Sequence, residues 1–301
     1  MDPFKAHSPA PELTALYVPA DRPDRHDKAL ATIADVVIVD LEDAVAPSRK
    51  DAARREVVDL LRHRSSGSGT ARLCVRVNPV SSPWSRADLE ALAEVLADVT
   101  VHSIRLPKVE SAQDVDAVRA YFERDVPVSV LVETAVGVER LGQIAAAHGV
   151  ASVALGEADL RSDLRLTGDG GLDWVRSRLV VAARAAGLPP PMMSVHPRLN
   201  DDEGLLRSCA AGRAAGFLGR TAVHPRQLPL IVEGFAPEPA QVEKAESLLA
   251  ALARGQQVAA GVVVLPDGQM ADAAMAAAAE HVVAVHQRVQ VLRQMYSAAP
   301  A

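Results

Sequence analysis

Two carboxylates, Glu133 and Asp159, each close a short apolar run, Val128–Val132 and Val153–Leu155. On neighbouring strands they would bring two hard oxygen ligands to one rim. Mg2+ is commonly held by one or two carboxylates, with water and substrate oxygens completing its octahedron, so the pair predicts a metal site. The competing role is plainer: either carboxylate caps the following helix or pairs with a cation. Glu157, in Gly156-Glu157-Ala158-Asp159, is a third candidate and ranks below them.

Arg76 ends another run in Arg-Val-Asn. Its planar cationic fork suits a carboxylate or a developing enolate oxygen. The alternative is a buried ion pair with Glu42 or Asp43. Asp40, Glu42 and Asp43 put too many negative charges at one strand end without cations nearby, and Arg76, Lys108 and a metal are the evident neutralisers. His196 and His224 also end apolar runs, but each precedes a proline, which favours a structural hydrogen bond over catalysis. Arg22, Arg25 and Lys28 alternate with Asp21, Asp24 and Asp27. That stretch is either a phosphate-binding turn or a solvated helix start. With no Walker motif and no Gly-x-Gly-x-x-Gly after a strand, the usual nucleotide-cofactor readings fall away.

These residues need a scaffold that delivers strand ends to one place. Eight apolar runs, ending near Asp21, Asp40, Arg76, Lys108, Glu133, Glu157, His196 and His224, alternate with helical patterns. The predicted fold class is α/β: a (β/α)8 TIM barrel with its active site at the carboxyl ends of the strands. Helices are expected at about 24–34, 48–64, 84–98, 111–123, 138–148, 171–186, 203–215 and 225–233, with capping signals at Ser48/Asp51 and Ser111/Asp114. Leu89, Leu92, Leu96 and Val99 recur at helical spacing, and Gly137 is expected to ease the turn after Glu133. Residues 1–12 read as a flexible tail, 13–236 as the barrel, and 237–301 as a C-terminal helical extension serving as lid, oligomer contact or both. Within that extension, helices at about 239–254 and 271–294 flank a short apolar segment, Val262–Leu265, and a Pro266-Asp267-Gly268 turn.

Composition narrows the function classes. Aromatic residues make up 3% of the chain, so the core is aliphatic, as suits a parallel sheet covered on both faces. The formal charge of -6 carries no basic stripe, against nucleic acid as a partner. No apolar stretch approaches the roughly 20 residues of a membrane span, and the start is unlike a signal peptide, so the expected location is the cytoplasm. Cys74 and Cys209 are expected to be buried thiols.

The sequence resembles the CitE-like branch of the HpcH/HpaI aldolase superfamily, the citrate lyase beta-subunit-like CoA-ester lyases. The likeness runs in order through LYVPADRPDRHDKA, ADVVIVDLEDAVAPSRKDAAR, RVN with SPWSRADLEAL, LPKVESA, VETAVGV, GEADL, AARAAG, GFLGRTAVHPRQ and DGQMAD, covering about residues 13 to 290. It implies Mg2+-dependent cleavage or formation of a carbon-carbon bond between a CoA thioester and a 2-oxo acid, on a barrel that assembles as a trimer or hexamer. By motif, Glu133 and Asp159 would hold Mg2+ and Arg76 would contact substrate oxygens. Asp272 would exchange the alpha proton from a neighbouring subunit, and Arg22 and Lys28 would meet the CoA nucleotide. Malyl-CoA and citramalyl-CoA are the expected substrates. A citrate lyase beta subunit acting on citryl-acyl-carrier protein and a non-catalytic CoA-ester-binding protein are the alternatives. The chain departs from the pattern at Met193, where relatives often have aspartate, at Arg198, commonly acidic, and at Leu164-Arg165-Leu166, more usually Leu-Gly.

Overall fold

The computed structural model describes residues 10–64, 71–168, 170–257, 263–264, 270–271 and 273–298. Residues Glu12–Gly234 form one compact unit and the chain from Phe235 belongs to a second.

The first unit is built on seven parallel strands: β1 (Thr14–Pro19), β2 (Val36–Asp40), β3 (Arg72–Arg76), β4 (Ser103–Leu106), β5 (Val128–Val132), β6 (Val150–Leu155) and β7 (Arg220–Ala222). Their order is β6-β5-β4-β3-β2-β1-β7. Between them run helices α1 (Pro23–Leu30), α2 (Lys50–Arg64), α3 (Ser85–Leu96), α4 (Ala112–Arg119), α5 (Ala135–Glu139), α6 (Leu141–Ala145), α7 (Glu157–Asp163), α8 (Gly170–Ala185) and α9 (Asp202–Ala214), and α10 (Gln227–Phe235) follows β7. The apolar runs became strands because Val, Ile and Leu suit a pleated surface buried on both faces. Every residue of β2 and of β5 is buried. Alternate residues share a face: Ala15, Val36, Ile38 and Cys74 pack as one cluster with Tyr17 and Met192. Asp40 and Arg76 lie two residues beyond Ile38 and Cys74 on that same face.

Three local expectations are revised. The Met192–Val195 run supplies one bridge residue, Met193 opposite Arg220, instead of a strand. Pro189, Pro190 and Pro191 before it and Pro197 after it lack the N–H a ladder needs. The sheet nevertheless curls toward this segment from both sides. Thr221 N–H donates to Met193 O at 3.1 Å, and on the other side the Ser194 hydroxyl donates to Leu155 O while its oxygen accepts from Glu157 N–H at 3.2 Å. Ser48 lies inside a single 3-10 turn, Pro47–Arg49, ahead of α2, so it is not the expected cap, whereas Ser111 and Asp114 do form a capping box. Gly137 lies within α5, and a Cβ there would meet Val109 O at 2.6 Å, so its role is to let the loop after β4 approach. Both cysteines are buried and free.

In the second unit α11 (Pro239–Gln257) packs on α12 (Ala273–Ala298) through Ala245, Leu248, Ala251 and Ala279. Strands β8 (Val263–Val264) and β9 (Met270–Ala271) pair antiparallel. The expected turn at Pro266–Gly268 and Asp272 lie outside the described residues. Among the described residues, no helix is long and apolar enough to cross a membrane.

Candidate active site

Parallel register brings the first pair together. Asp40 and Arg76 are directly opposite in the β2–β3 ladder, and the guanidinium grips the carboxylate in fork geometry, Nε to Oδ1 at 2.7 Å and Nη2 to Oδ2 at 2.6 Å. Arg76 Nη1 also lies 2.8 Å from Glu42 Oε2 and 3.3 Å from Asp43 Oδ2, and the guanidinium carbon sits 4.8 Å from the centre of the Tyr17 ring. Burial works against the charge on Arg76, but Asp40, Tyr17 and Glu42 outweigh it and hold the group above its ordinary pKa. The rival reading of Arg76 as an ion-pair member is therefore realised, with Asp40 the principal partner. Asp40 also accepts from the N–H groups of Glu42 (2.9 Å) and Ala44 (3.0 Å), which fixes the turn that presents Glu42.

A second group forms around Lys108, in the loop after β4. Its ammonium lies 2.7 Å from Glu42 Oε1, 3.0 Å from Asp159 Oδ2 and 3.9 Å from Glu133 Oε2. Its backbone N–H donates to Glu133 Oε2 at 3.1 Å. Lys108 holds a left-handed backbone, φ 54°, an uncommon state for a residue with a Cβ. Glu133 follows β5 directly and is 4% exposed. Burial, with the negative charge of Glu42 added, pushes its carboxyl up to about 8 against the pull of Lys108. Burial likewise raises Glu42, opposed by Arg76 and Lys108. Asp159 does not end a strand as expected. It stands in the first turn of α7, which has only Leu160 fully buried and no long apolar stripe by which a sequence would announce it. Glu157, also in that turn, points to Arg176 in a bidentate pair at 2.8 and 2.7 Å. Its charge is thus met by Arg176, and it lies outside the group around Lys108.

Several contributors went unseen in the sequence. Lys50, 5% exposed, donates from Nζ to Leu41 O (2.6 Å), Glu42 O (2.7 Å) and Asn78 Oδ1 (2.8 Å). Asn78 in turn donates to Leu41 O at 3.1 Å and to Asp88 at 2.6 Å, and Asp88 pairs with Arg54 at 2.9 Å. This network fixes the backbone that carries Glu42. Gly156 is another: a Cβ there would fall 2.0 Å from Glu133 Oε1, so the absent side chain makes room for the carboxylate. Arg105 on β4 reaches under Tyr17, 3.3 Å from its hydroxyl.

The remaining expected residues lie apart from this cluster or are engaged elsewhere. Arg22 is bound to Asp24 by two contacts of 2.9 Å, and Lys28 is exposed. His224 is exposed, its Nδ1 accepting from Arg226 N–H at 3.2 Å. His196 lies 3.6 Å from Asp201. Met193 touches Arg220 through its sulfur at 3.0 Å.

Among the described residues no three acidic, histidine or cysteine side chains meet as a complete metal cage. Two carboxylates and a neighbouring third converging on one ammonium are what remains, and that donor set suits a hard cation completed by water and substrate. A family profile described as HpcH/HpaI aldolase/citrate lyase matches residues 13–225. The chain belongs to that family. It is 36% identical over 274 residues to the (3S)-malyl-CoA thioesterase of Cereibacter sphaeroides, 89% of this chain and 92% of that one. It is 30% identical over 314 residues to the L-malyl-CoA/beta-methylmalyl-CoA lyase of Rhodobacter capsulatus, 93% and 97% of the two chains. Among solved structures, CitE from Mycobacterium tuberculosis in complex with magnesium, acetoacetate and coenzyme A superposes with a TM-score of 0.73 at 31% identity, covering 92% of this chain and 99% of that one. The chain is an enzyme of the carbon-carbon lyase class.

Proposed function

We propose that this enzyme cleaves, reversibly, a short 3-hydroxyacyl-CoA such as malyl-CoA or citramalyl-CoA into an acyl-CoA and a 2-oxo acid. The observation that carries the reading is the convergence of Glu42, Glu133 and Asp159 on one cationic position beside Arg76. Glu133 and Asp159 would hold Mg2+, which when bound supplies a Lewis acid for the oxygens of the 2-oxo acid. Glu42, fixed by Lys50 and Asp40, keeps negative charge beside that position. Arg76 lends a fixed positive group to the oxygen that gains charge as the bond breaks, and Asp40 keeps its fork oriented. The barrel closes through Ser194, with the Met193 segment as a residual strand. Asp272 exchanges the alpha proton, brought from a neighbouring subunit in a trimer or hexamer, and Arg22 and Lys28 meet the CoA phosphates once Arg22 releases Asp24.

The test is incubation with Mg2+ and a panel of malyl-, citramalyl- and citryl-CoA, with the carbonyl product trapped and the CoA product weighed. Release of glyoxylate or pyruvate that stops with EDTA, and falls at least about 100-fold in Glu133→Gln, is the expected result. Release unaffected by either would overturn the metal assignment. The likeness to a named thioesterase favours a second reading, hydrolysis of the thioester itself. Free CoA with intact hydroxy acid, and no carbonyl product, would establish it.

A further inference from the structure

Resting on the reading that Glu133 and Asp159 hold Mg2+, we propose that the Lys108 ammonium is a built-in cation which holds the ligand carboxylates together in the metal-free enzyme and must be displaced before Mg2+ can bind. Nζ lies between the oxygens of the two ligands, 3.0 Å from Asp159 Oδ2 and 3.9 Å from Glu133 Oε2, while bonded to Glu42 at 2.7 Å. Mg2+ lies about 2.0–2.1 Å from its oxygens, so an ion on those atoms falls within about a bond length or two of Nζ. Two cations that close repel by several kcal/mol even at an effective dielectric of about 20, and the ammonium has to leave.

Lys108 is made for this exchange. Its backbone is fixed, by the left-handed φ of 54° and by the N–H bond to Glu133 Oε2 at 3.1 Å. Its side chain is 35% exposed and carries a compact charge on a flexible four-carbon stem, so the head can swing toward solvent while the loop stays in place. Without it, Asp40, Glu42 and Asp43 would keep Arg76 as a contacting cation, whereas Glu133 and Asp159 would lose the ammonium that lies beside both. The lysine thus keeps the ligands gathered and sets the threshold a metal must exceed.

The experiment is calorimetric titration of MgCl2 into the purified enzyme, its Lys108→Met and Lys108→Gln variants, and Glu133→Gln. Both lysine variants keep a backbone N–H for Glu133 and the same backbone strain, so the comparison isolates the ammonium. Mg2+ affinity at least about tenfold tighter in either folded variant, checked by circular dichroism, is expected. Unchanged or weaker affinity in both overturns the proposal. Glu133→Gln tests the underlying reading separately: Mg2+ binding equal to wild type there would remove the metal site itself, whatever the lysine variants do.

Discussion

The two halves of the charged cluster answer the same problem differently. On the β2–β3 side, Asp40 and Arg76 are cross-strand neighbours in a two-point grip, with Lys50 and Asn78 fastening the adjoining turn. On the β5–β6 side, Glu133 and Asp159 share a single flexible ammonium and one backbone N–H, and the Glu133 carboxyl is pushed up to about 8. The first half is satisfied by its own residues and the second is short of positive charge. A site divided this way holds the Arg76 guanidinium rigid and leaves its unmet demand beside Glu133 and Asp159.

Breaking the satisfied half has the largest effect. Asp40→Asn leaves Arg76 buried without its principal partner, and loss of one member of a buried pair costs about 3–5 kcal/mol. Denaturant unfolding should show that loss in the midpoint. A change below about 1 kcal/mol would mean that Glu42 and Asp43 suffice.

The demanding half is sharpened by pH. The folded Glu133 carboxyl is raised from 4.5 to about 8, so its contribution to stability is full below about 4.5 and is lost as pH rises through 8. Under the proposed role of Glu133 as a ligand, Mg2+ would need the carboxylate, so its binding at pH 7 should release a proton. Affinity should then rise up to about tenfold per pH unit and flatten above pH 8. Titration in buffers of different ionisation enthalpy reads the released proton directly, and binding heats independent of buffer would contradict the shift.

The smallest effect concerns the far end of α7, the helix that carries Asp159. Arg165 there has φ 54° and closes the helix with Leu166 N–H on Arg161 O at 2.9 Å and its own N–H on Ser162 O at 3.2 Å, the C-terminal turn that glycine usually occupies. The sequence departs at this point from the usual Leu-Gly. Arg165→Gly should raise stability by up to about 1 kcal/mol, relief of left-handed strain less the entropy of glycine, and thermal unfolding measures it.

Much of this was legible beforehand for physical reasons. Apolar runs of the right length declare parallel strands, and strands of a barrel deliver their carboxyl ends to one rim, so Asp40, Glu42, Arg76, Lys108 and Glu133 could be grouped without coordinates. Asp159 groups with them by sequence as the end of a strand and stands instead on a helix, because a seven-residue helix with one buried leucine has no periodicity to read. Lys50 was invisible: its bonds run to carbonyls of another loop, and nothing in a helical lysine's neighbours marks that. Gly156 shows no reason for itself in the sequence, since the close approach of Glu133 is a fact of three dimensions.

The seam at Ser194 has a consequence for motion. Seven strands are laced by backbone ladders, but among the described residues the lacing between Leu155 and the Met193 segment passes through the Ser194 hydroxyl. A structure opens first where it is held by fewest bonds. Amide hydrogens from Leu155 to Glu157 and from Met192 to Val195 should therefore trade with solvent deuterium sooner than those of β2 or β5. The helix that bears Asp159 begins at that seam.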